Sequence, residues 1–398
     1  ALGEMRNEYP DAHMVGERET GNETYTLNLI RALLALPPEV RGGANFVLYA
    51  THPERLHPRL DPNHRAPIRA IRPAPAPLRI PFALPAATLR DRARLLHVNY
   101  VAPPLGACPH IVTVHDISYD IYPAFFSPRD RWMLKTLVPL TMRRAAAIIT
   151  VSQHARQEIM ARYGLPADKI AVTYEAAGEQ FRPVSDPTVR LALRQRLGLP
   201  ADAPYFLALG NLQPRKNIGR LLEAFALARQ SPELASTRLV IAGKALWRES
   251  EIYAAVQQAG LLDAVHFPGY VADDDLPALY SDALAFVYPS LYEGFGLPPL
   301  EAMACGAPVI CSNAASLPEV VGDAALTVAP TDVGALAATL RQVAASADVV
   351  LAPHNRFFAS ALARYAAQCD LGMVQDVLAI PAPATYLRLR HAGAALET

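Results

Sequence analysis

Two glutamates, Glu293 and Glu301, stand eight positions apart in the stretch YEGFGLPPLEAMACG (292–306), which lies between the apolar runs LAFVYPS (284–290) and APVICSN (307–313). An apolar run, a glycine-bearing turn, an amphipathic segment and a second apolar run read as strand, turn, helix and strand. Gly294 and Gly296 permit a tight turn that a ligand can approach closely. Pro298 and Pro299 suit a first helical turn, where an amide hydrogen has no helical acceptor. The amides of Phe295, Gly296 and Leu297 would then meet an anion at the helix N-terminus. Glu293 falls in the turn and Glu301 about one turn inside the helix, so the two carboxylates address neighbouring parts of one ligand.

Arg215 and Lys216 follow the apolar run PYFLALG (204–210), which Gly210 ends, and precede a helical pattern. A loop leaving the carboxyl end of a strand is where open α/β sheets bind ligands. Two cations there suit a diphosphate. One charge pair at about 4 Å is worth roughly 4 kcal/mol at an effective dielectric near 20, against roughly 0.3–1 kcal/mol for a helix end. The plain alternative is a solvated Arg-Lys pair. Basic residues at a helix N-terminus oppose the macrodipole, which favours the ligand reading. His115, in TVHDISYDIYP (113–123), closes another apolar run and is either a ligand contact or a structural histidine satisfied by Asp116. Asn99, Asp116, Tyr119 and Asp120 are nearby by strand order or sequence, and Gly21 lies in the glycine-bearing loop VGERETGNETY (15–25). Gly243 ends RLVIAG (238–243), where close ligand approach or tight packing would each explain it. Tyr270 and Val271, in FPGYV (267–271), offer backbone contacts. No Asp-x-Asp stands at a strand end. The aspartates of ADDDLP (272–277) read as a helix cap, so the expectation is no metal and no cofactor.

The elements that must position these residues alternate in a regular way. In the first half NFVLYA (45–50), PIRAIR (67–72), LLHVNY (95–100), HIVTVHD (110–116), AIITVS (147–152) and AVTYEA (171–176) read as strands. Helices fall over 23–36, capped by Thr20 or Asn22, over 129–144, kinked at Pro139, and after Ser152. The proline-dense 73–85 reads as an extended loop. The opening MRNEYPDAH (5–13) is too polar for the buried first strand such a sheet usually has. The rhythm breaks at 178–187, read as a linker, and resumes with PYFLALG, RLVIAG, VHFPGYV, LAFVYPS, APVICSN and ALTVAP, separated by helices. The expectation is α/β architecture in two doubly wound domains, residues 1–180 and 188–348, with an atypical tail at 349–398.

Composition limits the partners. Lys plus Arg equals Asp plus Glu at 37 each, so no global field draws in nucleic acid or an anionic membrane. Cys108, Cys305, Cys311 and Cys369 lack metal-ligand spacing and suggest a reducing, cytoplasmic setting. No run long enough to cross a membrane is evident, which leaves a soluble or peripheral protein.

The Glu293–Glu301 stretch resembles the Glu-x7-Glu signature of retaining nucleotide-sugar glycosyltransferases of family four, glycosyltransferase group 1, and the likeness is strongest over 205–340. It implies the GT-B fold, two Rossmann-like domains facing across a cleft. It implies an acceptor-side first domain and a second domain binding a nucleotide diphosphate sugar. By that resemblance Arg215 and Lys216 bind the donor diphosphate, and Glu293 contacts donor-sugar hydroxyls. Glu301 accepts from the ribose diol, a pairing suited to two carboxylate oxygens. Gly210, Gly243, Tyr270, Val271, Gly294, Phe295, Gly296 and Leu297 line the donor. His115 hydrogen-bonds the transferred sugar as a positioned donor. Gly21, Asn99, Asp116 and Tyr119 lie on the acceptor side. HDISYDIYP (115–123) resembles mannosyltransferase-type members, favouring GDP-mannose over a UDP-hexose and a glycan or lipid-linked acceptor, with peripheral membrane contact allowed. The family's usual buried first strand and tryptophan-bearing final helix are not evident. Alternatives are an epimerase or phosphorylase on the same scaffold and a non-catalytic nucleotide-sugar binding subunit. A nicotinamide dehydrogenase is disfavoured because the first βα loop has no GxGxxG run.

Overall fold

A computed structural model describes residues 6–16, 21–37, 44–62, 66–106, 108–243 and 249–345. The chain divides into two compact units, one ending its first segment at Glu175 and the other beginning at Ala176. The tail at 349–398 and Thr20, one of the two expected caps, lie outside the described residues.

The first unit is built on strands β1 (Arg6–Pro10), β2 (Ala44–Phe46), β3 (Leu48–Ala50), β4 (Ile68–Ala70), β5 (Leu95–Asn99), β6 (His110–Thr113), β7 (Ala147–Thr150) and β8 (Ile170–Val172). Six of them form a parallel sheet in the order β2-β1-β5-β6-β7-β8, and β3 and β4 pair separately. The run 45–50 is therefore two strands in two sheets rather than one. Its core joins Val98, Val112, Ile148 and Ile159, all at 1% exposure or less, to the buried tyrosines Tyr9, Tyr49 and Tyr119.

Two expectations fail here for identifiable reasons. The polar opening segment is an internal strand, β1, paired on both sides. It buries Tyr9, whose ring packs 4.8 Å from that of Tyr49 and whose hydroxyl donates to the Asp91 carbonyl at 3.1 Å. A tyrosine with a hydrogen-bonded hydroxyl fills a core position that the search for aliphatic runs overlooks. Pro10 is the last residue of the strand. The proline-dense 73–85 is not an extended loop. It is helical through Ala76–Leu78, a π-type turn over Arg79–Ala83, and Leu84–Arg90. Pro77 and Pro85 occupy early helical positions, and Leu84 and Ala87 are buried. Asn22 is not a cap either, since it lies inside the Gly21–Ala35 helix and its carbonyl accepts from Thr26 Oγ1.

The second unit carries β9 (Tyr205–Leu209), β10 (Arg238–Ala242), β11 (Val265–Gly269), β12 (Ala285–Tyr288), β13 (Val309–Ser312) and β14 (Leu326–Val328). All pair in parallel, in the order β11-β10-β9-β12-β13-β14. Chain order reverses between β9 and β12, which makes the gap between their carboxyl ends the switch point of a doubly wound sheet. The core packs Phe206, Leu221, Phe225, Val287 and Leu340 between sheet and helices. A helix that hydrophobic pattern alone missed, Pro187–Arg196, starts with Asp186 accepting from the Thr188 amide and proline in the first turn. Asp275 stands before the Leu276–Ser281 helix, but its side chain does not cap; it pairs with Arg196 at 2.5 Å.

Candidate active site

Unit 2 brings its candidate residues to the switch point. β9 ends at Leu209, and the chain passes through Gly210 into the one-turn Pro214–Lys216 helix, so Arg215 and Lys216 rise from the β9 end. β12 ends at Tyr288, and Glu293 lies in the loop before the Leu297–Ala304 helix. One backbone link and one side chain tie these loops together. The Leu291 amide donates to the Arg215 carbonyl at 2.8 Å. Buried Asn217, in a left-handed conformation with φ 60°, donates its side-chain amide to the carbonyls of Pro289 at 3.0 Å and Pro330 at 2.6 Å. The Ser316 hydroxyl lies within hydrogen-bonding reach of the Glu293 and Phe295 carbonyls, at 2.9 and 2.6 Å, and holds the turn from the other side.

The result is a compact ionic cluster. Lys216 Nζ donates to Glu293 Oε1 at 2.7 Å, and Arg215 Nη1 pairs with Glu293 Oε2. Lys216 also bonds the Tyr288 hydroxyl and sits 4.4 Å from that ring's centroid. Lys216 and Glu293 are buried, at 8% and 7% exposure. Burial raises the cost of ionising Glu293, but the adjacent charges of Arg215 and Lys216 outweigh it and hold the carboxyl at about 2. Burial, followed by the Glu293 charge, pushes the Tyr288 phenol well above its ordinary value. Two cations thus share one carboxylate at the switch point.

The helix end adds less. Leu297 is the first helical residue and Pro298 the second, with Pro299 next. Proline has no N–H, so the cations carry most of the attraction for an anion. Gly294, Phe295 and Gly296 are buried and Leu297 is partly so. Glu301, inside the helix, accepts from the Tyr280 hydroxyl at 3.1 Å. Gly210 and Gly243 line the same carboxyl edge. The Gly210 amide donates to Ala242 and the Gly243 amide to Gly269. Gly243 has φ 139°, and a Cβ there would lie 2.1 Å from the Gly210 carbonyl oxygen, so backbone packing requires this glycine. Tyr270 is 47% exposed just beyond β11, while Val271 is buried.

Unit 1 assembles a second polar group at the ends of β5 and β6. His115, two residues past β6, places Nδ1 3.3 Å from Glu175, not on Asp116. Asp116 instead accepts from the Ser118 amide at 2.9 Å and hydroxyl at 2.6 Å. Asn99 ends β5 and donates to Thr26 Oγ1 at 3.0 Å. Gly21, the first residue of the Gly21–Ala35 helix, is exposed. Tyr119 is a core residue, at 1% exposure with its hydroxyl 3.0 Å from that of Tyr163. Asp120 is held by Lys135 and Arg162, each at 2.5 Å, as a structural ion cluster. Among the described residues, no group of three or more His, Cys, Asp or Glu side chains could hold a metal ion, and no helix is long and apolar enough to cross a membrane.

Two parallel α/β units, the second with a cationic, doubly wound switch point, define a GT-B architecture. Solved structures agree on the fold. A sucrose-phosphate synthase from Thermosynechococcus elongatus matches with TM-score 0.69 at 23% identity, covering 98% of this chain and 99% of that one. WaaG, a glycosyltransferase involved in lipopolysaccharide biosynthesis, matches with TM-score 0.69 at 16% identity, covering 94% and 99%. Residues 20–176 match the family model for Glycosyltransferase Family 4, and 189–352 match that for Glycosyl transferases group 1. The chain belongs to this glycosyltransferase family. The Escherichia coli O-antigen chain mannosyltransferase B is 42% identical over 234 residues, 58% of this chain and 60% of the relative. The Salmonella typhimurium O-antigen chain mannosyltransferase RfbU is 31% identical over 221 residues, 56% and 57%. The chain thus spans about 60% of the length of the first of these relatives and 57% of the second.

Proposed function

We propose that this chain transfers a mannosyl residue from GDP-mannose to a hydroxyl of a glycan or lipid-linked glycan, with retention at the anomeric carbon. The observation that carries the reading is the convergence of Arg215 and Lys216 on Glu293 at the switch point of unit 2. Positive charge fixed there stabilises a nucleoside diphosphate most when it leaves, because its negative charge grows as the glycosidic bond breaks. The donor C1–O bond breaks and a C1–O bond to the acceptor forms on the same face. The acceptor proton passes to the departing diphosphate. With a diphosphate on the cations, the Glu293 carboxylate is released toward the sugar hydroxyls, and Glu301 accepts from the ribose diol. The choice of mannose is supported by HDISYDIYP (115–123) and by relatives named as mannosyltransferases. Arg215 and Lys216 supply the charge for which other transferases need a divalent cation, so the reaction is read as metal-independent.

Incubating the protein with GDP-mannose, UDP-hexoses and a mannan-type acceptor, with product detection by mass and anomeric coupling, tests this. Mannosyl transfer with retained configuration is the expected result. Isomerised sugar from donor alone would make it an epimerase, and donor binding without turnover would make it a binding subunit.

A further inference from the structure

Glu175 is a residue no motif points to. It lies three positions after β8 and meets His115 from outside the strand that carries the histidine. Its carboxylate is 3.3 Å from Nδ1, and the two side chains are 12% and 10% exposed. A carboxylate only accepts hydrogen bonds, so a hydrogen bond to Glu175 calls for the proton on Nδ1. In the neutral ring Nε2 is then the lone-pair nitrogen. His115 Nε2 is buried and has no protein partner among the described residues, and the same is true of Asn99 Oδ1. The ring cannot turn freely. Tyr25 packs edge-on against it with centroids 4.4 Å apart, and the Tyr25 hydroxyl lies 3.2 Å from Thr113 Oγ1. Thr113 Oγ1 is also 2.8 Å from His97 Nε2. The Asn99 amide is fixed in turn, since its nitrogen donates to Thr26 Oγ1 and that hydroxyl donates to the Asn22 carbonyl at 2.8 Å.

We infer that Glu175 is a positioning residue that selects the Nδ1–H tautomer of the uncharged His115 ring, the form in which Nε2 meets a sugar hydroxyl as acceptor, not donor. This rests on the transferase reading above and reverses the polarity expected of His115 from sequence. Asn99 Oδ1, presented by the neighbouring strand, is a second fixed acceptor. Two buried acceptors without donors cost free energy until a hydroxyl-bearing ligand supplies hydrogens. A ligand lacking those hydroxyls leaves the cost unrecovered, so the pair selects polyhydroxylated substrates.

Long-range 1H–15N correlation on the full chain labelled at histidine nitrogen, with His115→Gln to assign the resonance, tests the tautomer directly. The expected spectrum of neutral His115 has a pyrrole-like Nδ1 and a pyridine-like Nε2. Glu175→Gln, whose amide can also donate to Nδ1, should bring in the Nε2–H tautomer. It should lower kcat on the order of 10-fold or more while the donor KM stays within about twofold. A protonated Nε2 in the neutral wild-type ring overturns the inference, whether or not the variant folds. So does an unchanged spectrum and kcat in Glu175→Gln. The spectrum needs no substrate, so it stands or falls apart from the transferase reading. Absence of any sugar transfer would sink that reading and leave the tautomer result untouched.

Discussion

Lys216→Ala deletes one of the two cations facing the switch point and leaves Glu293 with Arg215 alone. If the charge acts on a leaving diphosphate, turnover should fall on the order of 10²–10³-fold, the loss usual for one transition-state donor. Stability should fall by about 1–3 kcal/mol, because a buried carboxylate loses a partner. Steady-state transfer and denaturant melts check both, and unchanged turnover in a folded variant would remove Lys216 from the chemistry. Glu293 itself predicts an acid response. A carboxyl held at about 2 against an ordinary 4.5 contributes on the order of 3 kcal/mol of folding stability at neutral pH. Because the folded value is the depressed one, that contribution is complete above about pH 4.5 and drains away as pH falls toward 2. Glu293→Gln should therefore flatten the loss of stability between pH 5 and 3, measured by urea unfolding across that range. The charged residues at this scale are legible in the sequence because Arg, Lys and Glu at strand ends have few other uses. Tyr288, Asn217 and Ser316 are not. Their roles depend on contacts from 21 to 113 positions away, such as Asn217 with Pro330 and Ser316 with Phe295, and no local pattern announces them.

The strand ends set where those side chains can stand. Gly243→Ala would put a Cβ 2.1 Å from the Gly210 carbonyl oxygen, backbone that cannot swing aside, at φ 139°. The β9 and β10 ends would have to part, at a cost of roughly 2–3 kcal/mol. Gly210 lies against Lys216, since a Cβ on it would be 3.3 Å from Lys216 Cε. The same change should therefore raise the donor KM as well as lower the melting temperature. Gly260→Ala is the control, with φ 66° but nothing within 4 Å. It should cost about 1 kcal/mol of backbone strain and leave KM alone. If both variants behave alike, the Gly210–Gly243 approach does not reach the site. Sequence reading finds the strands of unit 2 well, because the central ones, β9, β10, β12 and β13, are short apolar runs buried almost throughout. It stumbles in unit 1 wherever burial is achieved by other means. β1 is buried through Tyr9, whose hydroxyl is satisfied, the proline-bearing Arg79–Ala83 segment is helical, and one apolar run is shared by two sheets.

At the scale of the whole chain, length and the repeated strand–helix rhythm already imply two α/β bodies. The reversal of strand order is not written in any motif. It emerges only from pairing β9 with both β10 and β12, and it is what turns two distant loops into one site. If unit 2 alone grips the nucleotide, ligand protection must be uneven along the chain. GDP-mannose at about 100 times its dissociation constant should stabilise the folded protein by roughly 2.7 kcal/mol. Amide exchange should slow chiefly in the 205–345 segment, at the Pro214–Lys216 turn and around Phe295. A chelator should leave both the thermal shift and the transfer rate unchanged, because the proposed counter-charges are side chains of the chain itself. Lys216→Ala should shrink the shift for every nucleotide sugar alike, since it acts on the shared diphosphate. The difference between GDP- and UDP-sugars should survive that substitution if the base is read elsewhere, as proposed for Tyr270 and Val271. Loss of the shift on chelation would place a metal between protein and diphosphate. Uniform protection across both units would mean that the cation cluster is not where the donor sits.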